Sequence, residues 1–470
     1  MRSAPRKSLV KNSIYNIVYK LVNAVFPMFT AIYVSRALTP ELVGRVSYAQ
    51  NIVQYFVIIA ALGIPNYGSR ELAKVAQNKQ KRNLLFWELL ILNAISTTAC
   101  LVAYFVFLQV VPAFQENTTL HYVVGCVLLL NYFNVEWFYY GYEDFDFIAK
   151  RNVVIKIGSL FFLFAFVRDN SDYLWYASLS SATLAFHYII NFAGLRNYQI
   201  ERPMQKTKVR RHLKPILIMM ATVIAVELYT LMDTTMLGIM CPEKVVAYYM
   251  YPMQIVRIVI VVVTAIGGVL LPRLSYYFQQ NMLEEGEKVV NDIFYIMLFL
   301  LLPCGIGLFM VADTLIPLLF GTAYMPAVTT LRIASLLTIA LGFSNLFGTQ
   351  ILVAVGEERK LFAATFVGAI SNITLNVFLI PLFAQNGAAV ASVISESLVT
   401  IITFMYARKH IKIQYRKGLI RPLIVSSVAM TIVLWGVKCL IQNSVVELVV
   451  SVGVGAMVYL VVNLVMGKKE

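Results

Sequence analysis

Apolar runs of about 20 residues or more, long enough to cross a bilayer as helices, recur along the whole chain with short polar stretches between them. Glycine and proline are scattered inside these runs, as membrane helices tolerate, and the strand-period alternation of a β-barrel is absent. The pattern predicts an all-α polytopic membrane protein with about fourteen transmembrane helices. They fall near 13–35, 44–64, 84–111, 118–140, 150–168, 173–195, 215–240, 246–272, 291–312, 327–354, 360–381, 387–407, 420–441 and 445–466. The first run begins near Ile14, continues well past the length of a signal-peptide core and lacks a small-residue cleavage site, so it reads as a retained span.

A repeat organises these spans. Pro40-Glu41-Leu42-Val43 follows the first run, and Pro242-Glu243-Lys244-Val245 follows the seventh. The span after each copy closes alike, with Leu62-Gly63, Pro65 and Arg70 in one and Ile266-Gly267, Pro272 and Arg273 in the other. Two six-helix lobes in parallel repeat, residues 1–214 and 215–408, are expected, with two extra C-terminal helices over 409–470. The basic segment 196–214 reads as the linker between lobes.

Composition agrees with the pattern. Of 470 residues, 59% are hydrophobic and 13% charged, outside the range of a soluble domain. The net charge of +15 would suit a nucleic-acid partner, but its placement argues for topology instead. Basic residues crowd every second connection: Arg2, Arg6, Lys7 and Lys11; Arg70 to Arg82; Lys150 and Arg151; Arg196 to Lys214; Arg408 to Arg421. This positive-inside bias places both termini in the cytoplasm and both Pro-Glu motifs on the outer face, with contact to anionic lipid as a by-product.

Polar positions inside the spans are the candidate chemistry, because an ionisable group at membrane depth costs at least about 2.5 to 3.5 kcal/mol and needs a partner or a wet cavity. Along the first span Asn12, Asn16, Lys20, Asn23, Pro27 and Thr30 share one helix face. Lys20 either snorkels to the cytoplasmic interface or lines a watery lumen with that asparagine ladder. The second span carries Ser47, Asn51 and Gln54 at the same spacing, and its repeat counterpart carries Gln254, Arg257, Val261, Thr264 and Gly268. Arg257 sits near mid-membrane, so it needs either a solvated cavity or a carboxylate such as Glu227. Glu227, Thr230 and Asp233 form a second cluster, which either carries protons or sodium in a coupled cycle or balances arginine charge. Lys156, Arg332, Glu396 and Lys438 read as interface or interhelical residues, and His187 as a packed histidine. Trp137, Phe138, Tyr139, Tyr140 and Tyr142 read as an aromatic belt at the cytoplasmic interface.

Other chemistries lack support. Cys100, Cys126, Cys241, Cys304 and Cys439 show neither CxxC spacing nor histidine neighbours, so no metal or cofactor is expected. No phosphate-binding loop is present, and the outer connections are too short for a membrane glycosyltransferase or polymerase.

Several ordered segments resemble the Wzx-type lipid-linked oligosaccharide flippases of the multidrug/oligosaccharidyl-lipid/polysaccharide exporter superfamily. They are 35–44, with Ser35-Arg36-Ala37-Leu38-Thr39-Pro40; 63–74, with Gly63-Ile64-Pro65-Asn66-Tyr67-Gly68; Glu136-Trp137-Phe138-Tyr139-Tyr140-Gly141; and a stretch from Asn345 through Gly348, Gln350, Gly356, Asn372, Asn376 and Pro381 to Gly387-Ala388-Ala389 and Glu396. The resemblance implies two six-helix lobes in a V, open alternately to each side, with a cationic lumen lined by the first, second, seventh and eighth helices. It implies that Lys20 and Arg257 meet the pyrophosphate of an undecaprenyl-linked oligosaccharide, with Asn16, Asn23, Asn51 and Gln54 as polar lining. The expected activity is movement of that lipid from the cytoplasmic to the outer leaflet of a bacterial plasma (inner) membrane, for surface polysaccharide such as O-antigen or capsule, upstream of a polysaccharide polymerase or chain-length machinery. A cation-coupled multidrug antiporter of the same superfamily is the rival. The related peptidoglycan-precursor flippases carry several lumen arginines, and this chain has fewer deep cations, which counts against that substrate.

Overall fold

The structure is a computed structural model that describes residues 9–203, 205–267, 270–280, 282–414 and 416–467. The side chains of 9–21, 222, 225–226, 228–229, 265–267, 270, 272 and 417 lie outside that description. The candidate polar positions Asn12, Asn16 and Lys20 are among these.

The described residues are helical almost throughout, and the all-α polytopic architecture is borne out. Among the described residues, eight helical stretches are long and apolar enough to cross a membrane by length and composition. The chain divides into two compact units, Met1–Thr30 with Ala37–Thr235, and Ala31–Arg36 with Met236–Glu470.

The first unit holds most of α1 (Leu9–Ala37), then α2 (Pro40–Ala61), α3 (Ile64–Val75), α4 (Lys79–Val110), α5 (Thr118–Leu130), α6 (Glu136–Gly141), α7 (Phe145–Phe166), α8 (Tyr173–Gly194) and most of α9 (Arg210–Met240). Pro40 opens α2 in the first turn, where its missing N–H leaves no bond unmade. Leu62 and Gly63 then take left-handed backbone, with φ of 51° and 70°, and end the helix. Glycine is required at 63 on a second ground: a Cβ there would stand 2.7 Å from the backbone nitrogen of Met220 on α9. The turn launches α3, whose Ile64, Tyr67, Gly68 and Leu72 are buried while Arg70 and Lys74 face outward. What reads in sequence as a basic loop is therefore an amphipathic helix.

The fourth span is also not continuous. After α5 the chain makes a single 3-10 turn, Asn131–Phe133, and breaks at Asn134 and Val135 before α6. That break folds Trp137, Phe138 and Tyr139 back onto α3 and α4, where they are only 2%, 0% and 1% exposed. Gly68 leaves the notch that receives the indole, since a Cβ would lie 2.7 Å from its ring. The expected aromatic belt is thus corrected: these rings form core, packed with Ile64, Tyr67, Leu72, Phe86 and Leu89.

In the second unit, α10 (Glu243–Gly267) is followed by the short α11 (Leu270–Gln279), the same order as α2 and α3. Then come α12 (Leu283–Phe320), α13 (Ala327–Ala334), α14 (Leu337–Ser344), a π-helical segment Asn345–Leu352, α15 (Glu358–Ala407), α16 (Lys417–Leu440) and α17 (Ser444–Gly467). The tenth span is thus assembled from three helical pieces. The eleventh and twelfth are the arms of α15, 358–383 and 385–407, hinged at Ala384 with φ 47° and ψ −127°. An alanine there is strained, because only glycine visits such backbone freely. We expect Ala384→Gly to raise stability by about 1 kcal/mol and Ala384→Val to lower it, read from thermal melting of the detergent-purified protein.

Candidate functional site

Buried polar groups in the first unit gather around Glu136, at the start of α6. The break before α6 turns this carboxylate toward α7 and α8, where Arg151 Nη2 donates to its Oε1 at 2.9 Å and His187 Nε2 stands 3.4 Å from its Oε2. Arg151 also donates to Asn191 Oδ1, and Tyr139 OH donates to the Asn191 carbonyl at 2.6 Å. Arg151 is 5% exposed and Asn191 wholly buried. Sequence spacing placed Arg151 in a cytoplasmic loop; α7 instead begins at Phe145, so Arg151 lies two turns into a helix and points inward. His187 is packed, as expected, against this carboxylate.

The cluster continues toward α1. Arg151 Nη2 donates to Asn152 Oδ1 at 3.2 Å, and Asn152 Nδ2 reaches Asn23 Oδ1 at 3.4 Å. Lys156 Nζ donates to the same Asn23 oxygen at 2.5 Å and to the Val22 carbonyl at 3.1 Å, and lies 5.0 Å from the Phe26 ring centre. Asn23 therefore engages α7, and Lys156 is interhelical.

Between α2 and α9, Asn51 Nδ2 donates to Thr235 Oγ1 at 2.7 Å and to the Leu231 carbonyl at 3.2 Å, and Tyr55 OH meets the same Thr235 oxygen at 2.7 Å. Asn51 is thus a buried helix-to-helix clamp. Gln54, one turn along, is half-buried. Glu227 accepts from Thr230 Oγ1 at 3.3 Å and lines a small open cleft with Tyr55, Ile58, Ile59 and Ile224. Asp233 is buried and has an interaction partner.

Arg257, in the second unit, is exposed on α10, and among the described residues no carboxylate pairs with it. One turn before it, Gln254 Nε2 is buried without a hydrogen-bond partner. Farther along, Asp313 of α12 accepts from Lys438 of α16 and stands 3.4 Å from Arg332 of α13. That carboxylate ties the C-terminal helix pair to the rest of its unit, helped by Thr314 Oγ1 donating to Glu447 at 2.8 Å. Glu396 is buried and partnered. Among the described residues no group of three or more His, Cys, Asp or Glu side chains is placed to hold a metal.

One centre escaped the sequence reading. Glu88 of α4 is fully buried and accepts from Lys208 N at 2.6 Å, Arg211 Nη2 at 2.5 Å and His212 Nε2 at 2.9 Å; His212 Nδ1 in turn meets Tyr67 OH at 2.7 Å. Lys79 binds Glu201 at 2.6 Å, and Trp87 Nε1 donates to the Glu201 carbonyl at 3.0 Å. The basic segment 196–214 is therefore fastened to the first unit. A lone Glu in an apolar run just past a cytoplasmic helix start was the available signal.

With this geometry, the chain can be set beside known proteins. The family model described as "Polysaccharide biosynthesis protein" matches residues 9–278, more than half of the chain. The chain belongs to that polysaccharide biosynthesis family. A second model, "Lipid II flippase MurJ", matches residues 150–462, also more than half, and takes in α16 and α17. The resemblance to Wzx-type members of the superfamily is borne out by these matches. A protein of Escherichia coli (strain K12) named for O-antigen transport is 22% identical over 405 residues, covering 86% of this chain and 97% of that one. Among solved structures, a lipid II flippase MurJ in an inward closed conformation aligns with TM-score 0.78 at 14% identity, covering 98% of this chain and 99% of that chain. An inward-facing multidrug resistance MATE family transporter aligns with TM-score 0.63 at 15% identity, covering 84% and 97%. At such identities these two structures speak for the fold alone.

For this family member, Arg151→Met should cost about 3 to 5 kcal/mol of stability, because it leaves Glu136 buried beside His187 alone. Glu136→Met combined with Arg151→Met should restore much of that loss, since no charge is then stranded. Melting of the two variants in detergent decides; equal melting temperatures for Arg151→Met and the parent protein would show that the pair carries no stability.

Proposed function

We propose that the protein is a flippase that moves undecaprenyl-pyrophosphate-linked oligosaccharide units from the cytoplasmic to the outer leaflet of the bacterial plasma membrane by alternating access. The units then enter surface polysaccharide through a polymerase or chain-length machinery. The observation that carries this reading is the family match over residues 9–278, supported by a similarity to the O-antigen transport protein along nearly its entire length. Its role is transport, and the chain crosses the membrane many times, with both termini in the cytoplasm on the positive-inside bias.

A lipid headgroup taken through the bilayer interior needs fixed cations or donors at depth, which in this chain are scarce. Arg257 suits that task because no described carboxylate neutralises it, and the buried Gln254 amide nitrogen beside it adds an unused donor. Lys20 and Asn16 share the polar face of α1 by spacing and are proposed as further headgroup or sugar contacts. Asn23, Asn51 and Gln54 remain proposed polar lining, with the first two also holding helices together. Glu227 and Asp233 are proposed to couple transport to a proton or sodium gradient. A cation-coupled multidrug antiporter is the second reading, favoured by the fold likeness to a MATE transporter.

Loss of the gene should cause a lipid-linked oligosaccharide to accumulate on the cytoplasmic leaflet, with surface glycan reduced. Accumulation of the peptidoglycan precursor would redirect the substrate, and altered drug susceptibility with normal glycan would favour the antiporter. Arg257→Ala should abolish polymer export while the protein still inserts; normal surface glycan in that variant removes Arg257 from the mechanism. For coupling, Glu227→Gln and Asp233→Asn should each change the dependence of transport on an ion gradient. Unchanged transport in both assigns the carboxylates to structure.

A further inference from the structure

Lys156 lies eleven residues past Phe145 and ten before Phe166, in the middle of the 22-residue α7. At 1.5 Å per residue its Cα is roughly 15 Å from either helix end. Sequence edges had placed it near the start of the span; the longer helix moves it to the centre.

Its surroundings are unlike those of Arg151. Arg151 has a carboxylate, Glu136, which is already engaged by both Arg151 and His187. Lys156 has only neutral acceptors, Asn23 Oδ1 and the Val22 carbonyl, with the Phe26 ring beside it, and among the described residues no carboxylate lies within ion-pair distance. An ammonium carries three N–H donors, and these two oxygens take two of them. The side chain is half-buried. Asn152, one turn earlier on the same face of α7, and Asn23 on α1 present two amide groups to the same spot. A cation without a counter-charge, held between apolar helices with amide groups around it, is an anion seat.

We propose that Lys156, with Asn23 and Asn152, binds the diphosphate of the transported lipid within the first unit. This rests on the reading of the protein as a carrier of lipid diphosphates. The incoming oxygens replace Asn23 Oδ1 and the Val22 carbonyl as acceptors of the ammonium and free the asparagine amides to donate.

The test uses the purified full-length protein and measures affinity for undecaprenyl pyrophosphate, undecaprenol and inorganic pyrophosphate. The parent protein should prefer the lipid diphosphate to undecaprenol. Lys156→Gln should lower affinity for the diphosphate lipid about tenfold or more, Lys156→Arg should retain most of it, and undecaprenol binding should not change. Lys156→Gln and Lys156→Met should melt no lower than the parent, because a deep cation without a counter-charge is removed. Undiminished affinity in Lys156→Gln overturns the assignment and leaves the flippase reading standing. A parent protein that does not distinguish undecaprenyl pyrophosphate from undecaprenol overturns both. Lower melting together with weaker binding in both neutral variants makes Lys156 a brace between α1 and α7 and overturns the assignment. Inorganic pyrophosphate binding as tightly as the lipid, with the same dependence on Lys156, overturns the lipid as the ligand.

Discussion

A bilayer supplies no water to a charge, so an ion carried between the helices needs a partner group, a wet cavity or a ligand. The structure meets that demand by a repeated device, one carboxylate shared by more than one donor. Glu136 serves Arg151 and His187, Glu88 serves Arg211, His212 and the Lys208 amide, and Asp313 serves Lys438 and Arg332. Each centre joins different elements of its unit, and two of them depend on a local change of chain direction that brings the acid and its partners together. For Glu136 the break is the interruption at Asn134 and Val135; for Glu88 it is the return of segment 196–214 along α4.

The second of these centres changes how the middle of the chain is understood. A basic linker between two halves is easily pictured as a tether, yet Lys208, Arg211 and His212 converge on one buried carboxylate. Because Arg210 opens α9, that convergence fixes the start of the helix against α4 and α3. Gly63, pressed against Met220, fixes the next stretch. Segment 196–235 thus behaves as part of the first unit, although sequence repeats alone would divide the chain at 214.

The helices themselves were largely legible, since burying a backbone in hydrocarbon demands a long apolar run, and each of the fourteen expected runs meets helix in the structure. The errors fall where length and hydropathy stop being informative. Ile64–Val75 is too polar on one face to read as a span, and its period of buried positions shows only once the face it packs on is known. Arg151 was misplaced because a helix that starts with Phe145, Asp146 and Lys150 carries its charges in the first turns, where a hydropathy window sees a loop. The ring cluster at 137–139 has the composition of an interfacial belt and the position of a core, and only the bend after α5 separates the two. Of the candidate lumen residues, Asn23 and Asn51 make hydrogen bonds between helices. Sequence could not say that their partners would be Lys156 and Thr235, because those pairings span about 130 and 180 residues and rest on helix packing.

The contrast between Arg151 and Lys156 bears on which charges can belong to a transport cycle. A cation held by a carboxylate is a poor receptor for an anion, because binding would strand the carboxylate in a medium where an unpaired charge is severely destabilising. A cation held by an amide oxygen, a carbonyl and a ring can change partners without stranding anything, since the displaced groups are dipoles that retain other bonds or accept weaker ones. The carboxylate-centred clusters are therefore suited to permanent anchorage of helices. A deep lysine or arginine with only neutral neighbours is suited to a ligand that arrives and leaves. By that criterion Arg257 in the second unit and Lys156 in the first are of one kind, although the sequence placed one near mid-membrane and left the other among the interface or interhelical residues.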